Sequence, residues 1–203
     1  YQTALTIESV IKDIDSKKYL LPSIQREFVW STGQIEKLFD SLMRDYPINA
    51  FLFWKVPREK VSEFKFYEFL RDYHQKDNKH NPKANTNGTE DIIAILDGQQ
   101  RMTSLYIALK GTYAYKMSYK RWDNPAAYPK RKLYLNLLAA SDDADMFYDF
   151  LFLTEEEAKN IKNDNDEYEG AFWFPVGKIL DFREESDVND YLIDNDLNTV
   201  ADK

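Results

Sequence analysis

The stretch Ile92-Ile93-Ala94-Ile95-Leu96-Asp97-Gly98-Gln99-Gln100-Arg101-Met102-Thr103-Ser104-Leu105 decides the fold. Five apolar residues stop at Asp-Gly, polar and charged residues follow, and a helical pattern then begins. The reading is a buried strand, a sharp turn and a helix. α/β folds hold ligands at such strand ends. The turn also aims free backbone N–H groups at whatever sits there, which favours an anion. Gly98 lets the backbone turn and approach a ligand closely. Arg101 offers a planar fork that matches phosphate or carboxylate oxygens. Asp97 suits Mg²⁺, a sugar hydroxyl or an attacking water. Gln99 and Gln100 suit a base edge or a positioned water. The plainer alternative has Asp97 capping the helix and Arg101 paired with a carboxylate.

Working outward, the apolar residues Met102, Leu105, Tyr106 and Leu109 predict a helix ending at Gly111. On the N-terminal side, Ile7, Val10, Ile11 and Ile14 share one face of a short helix. Residues 19–22 read as a short strand stopped by Pro22. Ser31 and Gln34 fit a capping box for a helix running to about residue 45, with Ile35, Leu38, Phe39 and Leu42 inward. Residues 51–56 read as a buried strand before Pro57, and 58–73 fit strand or helix equally. The polar run 72–91 reads as a mobile excursion or a hairpin tip just before the central strand. Strands are predicted near 131–138 and 146–153, and Phe172-Trp173-Phe174 is an apolar stretch closed by Pro175. Thr154 and Glu157 form a second capping box, for a helix to about residue 162. Residues 163–170 read as an acidic loop and 187–193 as a final helix.

The 203 residues are 43% hydrophobic and 15% aromatic, enough for one core with a small appendage. Cysteine is absent, which excludes disulfides, thiol nucleophiles and thiolate metal sites. His74 and His80 are the two histidines, too few for a His-rich zinc site, and both read as solvated loop residues. No run approaches the roughly 20 apolar residues that span a bilayer. Starting at Tyr1 rather than Met, the chain reads as part of a longer, cytoplasmic protein. The net charge of −8 is uneven: residues 154–203 carry 15 acidic and 5 basic residues. That balance opposes a nonspecific nucleic-acid coat but leaves room for a local basic surface. Residues 110–132 interleave Lys110, Lys116, Lys120, Arg121, Lys130, Arg131 and Lys132 with Tyr113, Tyr115, Tyr119, Trp122 and Tyr128. This pattern fits a nucleic-acid surface and a solvated loop with tucked-in rings equally well. Trp30, Phe39, Phe51, Phe53 and Trp54 fit core packing better than base stacking, Trp30 least clearly. Neither a phosphate-binding Gly-x-x-x-x-Gly-Lys loop nor a Gly-x-Gly-x-x-Gly turn occurs.

Five ordered pieces carry a resemblance: residues 22–30 (Pro-Ser-Ile-Gln-Arg-Glu-Phe-Val-Trp), 38–42, Tyr46-Pro47-Ile48, Leu52-Phe53-Trp54 and 96–105. Together they resemble the GmrSD-type restriction endonuclease N-terminal domain over residues 5–110. The resemblance implies an α/β (α+β) fold with a ParB/sulfiredoxin-like core, a small mixed sheet flanked by helices, here with an acidic C-terminal extension. Residues 1–112 would form that nucleotide-binding core. Residues 113–203 would continue the domain or form a small accessory subdomain. By position, Gln25, Arg26, Asp97, Gly98, Gln99, Gln100 and Arg101 would form a pocket for an NTP (GTP or ATP) with Mg²⁺ on Asp97. Asp40 and Ser41 would support it or simply cap and pack. Arg26 and Arg101 would hold phosphates.

The implied function is nucleotide binding and hydrolysis governing cleavage of modified or foreign DNA in bacterial or archaeal restriction and phage defence. Many members carry a C-terminal His-Asn-His-type nuclease, and nothing like it is present in these 203 residues. The nuclease would be a further domain or a separate subunit. Two alternatives are a non-catalytic DNA-binding module and a ParB-like nuclease acting directly.

Overall fold

A computed structural model describes residues 5–24, 27–87, 90–160 and 171–197. Its class is α+β, with small mixed sheets and six α-helices among the described residues.

The predicted strand is the organising element. β5 (Ile92–Asp97) lies between β1 (Tyr19–Pro22), parallel to it, and β2 (Leu52–Val56), antiparallel. β3 (Phe66–Tyr67) adds to the far side of β1, giving the order β2-β5-β1-β3. All four residues of β1 are buried, and Ala94 and Ile95 of β5 are wholly so. Residues 51–56, expected as a buried strand, instead form the sheet edge, and of β2 Val56 alone is fully buried. An edge strand has a neighbour on one side, so aromatic content alone does not bury it.

α4 (Gln99–Lys110) follows the turn, and every residue from Met102 to Leu109 is buried. A helix buried on all sides, here with Thr103 and Ser104 among the apolar residues, lies at the centre of a core. α1 (Ile7–Asp15) and α2 (Thr32–Met43) cover it, and the expected caps are present. Thr6 Oγ1 accepts from Ser9 N at 3.2 Å, and the Ser31–Gln34 box closes in both directions.

Residues 72–91, expected as an excursion, begin as β4 (Asp72–His74), which pairs in parallel with β6 (Thr112–Ala114). Bridges Tyr67↔Lys83 and His74↔Asn78 fold the rest back. Repeated asparagines conceal this pairing, and the partner strand lies about 40 residues away. His74 is not a free solvated residue: its Nδ1 accepts from Asp77 N at 3.1 Å, and its ring stacks on Tyr128 at 4.9 Å.

A third sheet, β8-β7-β9, is antiparallel: β7 (Lys132–Ala140), β8 (Tyr148–Leu153) and β9 (Trp173–Pro175). α5 (Glu155–Asn160) follows β8 behind the Thr154–Glu157 box, and α6 (Glu185–Asp194) closes the described chain. Residues 163–170 lie outside the described residues, as does the predicted end of α5 near 162. One hydrophobic cluster joins Ile11, Ile35, Ile95 and Met102 to Leu133 and Phe150, from both sides of residue 112.

α2 docks on the free edge of β8 through carboxylates. Glu36 Oε1 accepts from Phe152 N at 3.1 Å, and Asp40 Oδ1 accepts from Phe147 N and Tyr148 N, each at 2.9 Å. Burial pushes the Glu36 pKa from the ordinary 4.5 up to about 7; Asp149 adds to the rise, and the Phe152 N–H opposes it. The native state therefore binds the proton more tightly than the unfolded chain. Glu36 costs stability increasingly as pH rises from about 4.5 to 7, and fully above. Glu36→Gln keeps the acceptor without the charge. It should gain about 2 kcal/mol at pH 8, a linkage figure reduced for partial exposure, and almost nothing at pH 4.5. Urea titrations at the two pH values test this. Equal shifts at both would refute it.

Candidate functional site

β5 and α4 meet at Gly98, whose φ of 84° is left-handed. No side chain caps α4, so its first-turn N–H groups are not satisfied by a capping oxygen. In front of that helix end lies a cavity of about 520 Å³. Ile24, Trp30, Leu96 and Asp97 line it together with Gly98 and the first turn of α4. Asp97 is the open acid of the site, with its side chain 73% exposed.

The remaining polar side chains of the motif are tied to backbone. Gln99 Nε2 donates to Ile95 O at 2.8 Å, bracing the strand end. The Gln100 amide makes a two-way contact with the preceding loop: Oε1 accepts from Val29 N at 3.0 Å, and Nε2 donates to Glu27 O at 2.9 Å. Arg101 donates from NH1 to Ile48 O and from NH2 to Ala50 O, the latter at 2.9 Å. Its guanidinium carbon lies 4.7 Å above the Phe51 ring. Gln100 and Arg101 thus fasten the two loops that frame the strand–helix turn. Carbonyl oxygens do not cancel a cation, and the nearest carboxylate, on Asp97, stands 3.8 Å away. Arg101 and Asp97 thus form a long ion pair on the cavity wall, with the acid the more exposed member. The plainer alternative holds in part: no side chain caps α4, but Arg101 does pair with a carboxylate, that of Asp97, at 3.8 Å.

Gln25 and Arg26 lie outside the described residues. Their neighbours are placed: Ile24 lines the cavity, and Glu27 holds the Gln100 amide and pairs with His80 at 3.0 Å. Trp30 is half-buried on the cavity wall, and its carbonyl accepts from Tyr113 Oη at 2.9 Å. Asp40 and Ser41 take the packing role. Asp40 is bound to β8, and Ser41 Oγ donates to Lys37 O at 2.8 Å. Phe39 belongs to the core, while Trp54 packs edge-on against Phe64 at 4.9 Å.

Mg²⁺ is usually held by one or two carboxylates with substrate phosphates and water supplying the rest. Among the described residues no group of three or more acids and histidines gathers to hold a metal. One exposed carboxylate beside a phosphate-sized space fits the sparing Mg²⁺ mode and not a preformed metal cage. A larger hollow, about 590 Å³, lies between α1, α2, α6 and the third sheet. Its lining is almost wholly apolar, so it offers a polyanion nothing. No helix among the described residues is long and apolar enough to cross a membrane.

The loop-fastening roles of Gln100 and Arg101 were not readable from sequence. Their partners lie 73 and about 50 residues away, and a glutamine that reads a base looks the same on paper as one that ties a loop.

The family model described as GmrSD restriction endonuclease, N-terminal domain, matches residues 7–200. An uncharacterized protein of Methanocaldococcus jannaschii is 33% identical over 100 residues, which are 49% of this chain and 16% of that protein. The matched region is thus a small part of that relative's length.

Proposed function

The chain belongs to the GmrSD restriction endonuclease N-terminal domain family, and from that membership we propose that it binds and hydrolyses an NTP to govern DNA restriction. The DNA cut would be modified or foreign, and the cutting would belong to a nuclease domain or subunit elsewhere. A ParB/sulfiredoxin-like core is part of this proposal.

The observation that carries it is the cavity of about 520 Å³ before the uncapped start of α4. Gly98 brings the backbone N–H groups of the first turn close to a ligand, and the helix dipole favours its negative charge. Arg101 adds a cation held rigid by Ile48 O, Ala50 O and the Phe51 face. It would neutralise phosphate charge at short range while its N–H groups keep the 48–50 loop in place. Arg26 would be the second phosphate-binding cation, with Gln25 beside it.

Asp97 is the group for the chemistry. It would accept a proton from a water attacking the γ-phosphorus, as the bond from that phosphorus to the bridging oxygen breaks. The products are the nucleoside diphosphate and inorganic phosphate. Alternatively, Asp97 would hold Mg²⁺ instead of the water, and the ion would neutralise charge on the phosphate oxygens. Gln99 keeps its side-chain oxygen free to orient the water, since only its nitrogen is engaged with Ile95 O. Gln100 would act through the 27–30 loop that it fastens. Positioning and charge neutralisation suffice for phosphoryl transfer, so no His or Cys nucleophile is needed.

The test is a thermal-shift screen of NTPs with and without Mg²⁺, paired with phosphate release. A ligand at about 100 times its Kd should raise Tm by roughly 5 °C or more. Asp97→Asn should abolish phosphate release. If no NTP shifts Tm, the proposal fails; if Asp97→Asn releases phosphate at the wild-type rate, the role of Asp97 fails.

A further inference from the structure

The basic, aromatic segment 110–132 is not absorbed by the cavity, and the structure sorts it into two sets. Part is internal. Arg131 is 5% exposed, lies over the Tyr115 ring at 4.2 Å and faces Glu157 at 3.7 Å. Tyr113 and Tyr128 are buried, and Lys110 pairs with Asp15 at 3.6 Å. The remainder forms a loop that is tied at its neck and bare at its tip.

The neck is closed by Met117 N donating to Ala127 O at 2.7 Å. The Lys116 amine donates to Met117 O at 3.1 Å and to Lys120 O at 2.9 Å, holding the tip in one shape. Tyr128 Oη donates to Trp122 O at 3.0 Å. At the tip, Tyr119 is completely exposed and has a φ of 62°. A bulky side chain adopts that conformation only at a cost, and here burial of the ring offsets none of it. Trp122 is 53% exposed, one side of its ring set edge-on to Tyr128 at 5.9 Å. Lys120, next to Tyr119 in the chain, and Lys130, just past the neck, are exposed, with no ion-pair partner among the described residues. Arg121 is engaged by Asp123 at 3.2 Å. In a chain of net charge −8, residues 110–132 carry seven basic residues against the single acid Asp123.

Exposed flat rings alternating with unpaired lysines match a strand that offers unstacked bases and phosphates at short intervals. Paired bases within a duplex do not present their faces to such rings. We propose that the 116–130 loop is a docking surface for single-stranded nucleic acid, with Tyr119 and Trp122 stacking on bases and Lys120 and Lys130 contacting phosphates. This surface is separate from the nucleotide cavity, and its test reads neither nucleotide binding nor hydrolysis.

The experiment is fluorescence anisotropy on the 203-residue chain with labelled oligothymidylate of about 12 nucleotides, within the usual site sizes. A duplex of equal length is the comparison. Tyr119→Asn suits the left-handed backbone, and Trp122→Leu keeps an apolar contact for Tyr128, so the double variant should melt as the wild type does. Its affinity for the single strand should fall about tenfold or more. Lys120→Ala with Lys130→Ala should flatten the slope of log affinity against log salt by about 1.4. Three results each overturn the proposal: undetectable wild-type binding of the single strand, unchanged affinity in the ring variants, or tighter binding of the duplex.

Discussion

Gly98→Ala should destabilise the protein by about 3 kcal/mol and abolish any ligand-induced rise in Tm. Two costs add. At φ 84° a Cβ meets the backbone strain of the left-handed region, about 1–2 kcal/mol. It would also stand 2.4 Å from Cδ1 and 2.8 Å from Cε1 of Phe51. Phe51 cannot move aside freely, because Arg101 lies over its ring and holds Ala50 O beside it. Overpacking of this kind costs about 1–3 kcal/mol. The same movement would shift the 48–50 loop and the Arg101 guanidinium that holds it on the cavity wall. Gly33 in α2 is the control: a Cβ there meets just Glu36 Oε2 at 3.8 Å. Gly33→Ala should be neutral or stabilise by up to about 1 kcal/mol. Urea unfolding of both variants, followed by circular dichroism, reads the difference. A Gly98→Ala protein as stable as the wild type would mean that the strand–helix turn is not built as described.

The contrast between what sequence discloses here and what it conceals follows the range of the interaction. α1, α2, the β5–α4 unit and the Thr154–Glu157 box are set by residues three to seven positions apart, so apolar spacing and capping side chains reveal them. The exposure of β2 depends on which side of β5 it occupies, and the pairing of β4 with β6 spans Asp72 to Thr112. Neither leaves a local trace. At the candidate site the turn was legible, since apolar run, glycine and helix are contiguous. The division of labour within it was not. Asp97 stands open while Gln100 and Arg101 grip carbonyls of loops far away in the chain. For the basic segment, composition allowed a binding surface or a tucked-in loop, and the fold divides it: Arg131 and Tyr113 go inward, Tyr119 and Lys120 outward.

Asp40→Ala should be the most damaging change outside the site, costing about 4 kcal/mol at pH 7. The Asp40 carboxylate is 4% exposed and serves three partners. Phe147 N and Tyr148 N donate to Oδ1, and Arg44 NH1 donates to Oδ2 at 3.3 Å. Alanine leaves the two part-buried N–H groups without an acceptor, each worth about 1–3 kcal/mol when unsatisfied. It also removes the carboxylate partner of Arg44, which is two-thirds shielded and keeps only Tyr46. Because those N–H groups open β8, their loss loosens α2 from the third sheet. Asp40→Asn keeps an oxygen for both donors and should cost about 1 kcal/mol. Acid supplies an independent check. Burial acts to raise the Asp40 pKa, but the Tyr148 and Phe147 N–H groups and Arg44 outweigh it and hold the value below the ordinary 3.8. Stability from this carboxylate is therefore full above about pH 4 and is lost as pH falls through the lowered value. The gap between wild type and Asp40→Ala should narrow at pH 3 relative to pH 7. Urea titrations of the three proteins at both pH values decide it. A loss under 1 kcal/mol for the alanine variant at pH 7, or a gap that does not shrink in acid, would show that α2 is not anchored through this carboxylate.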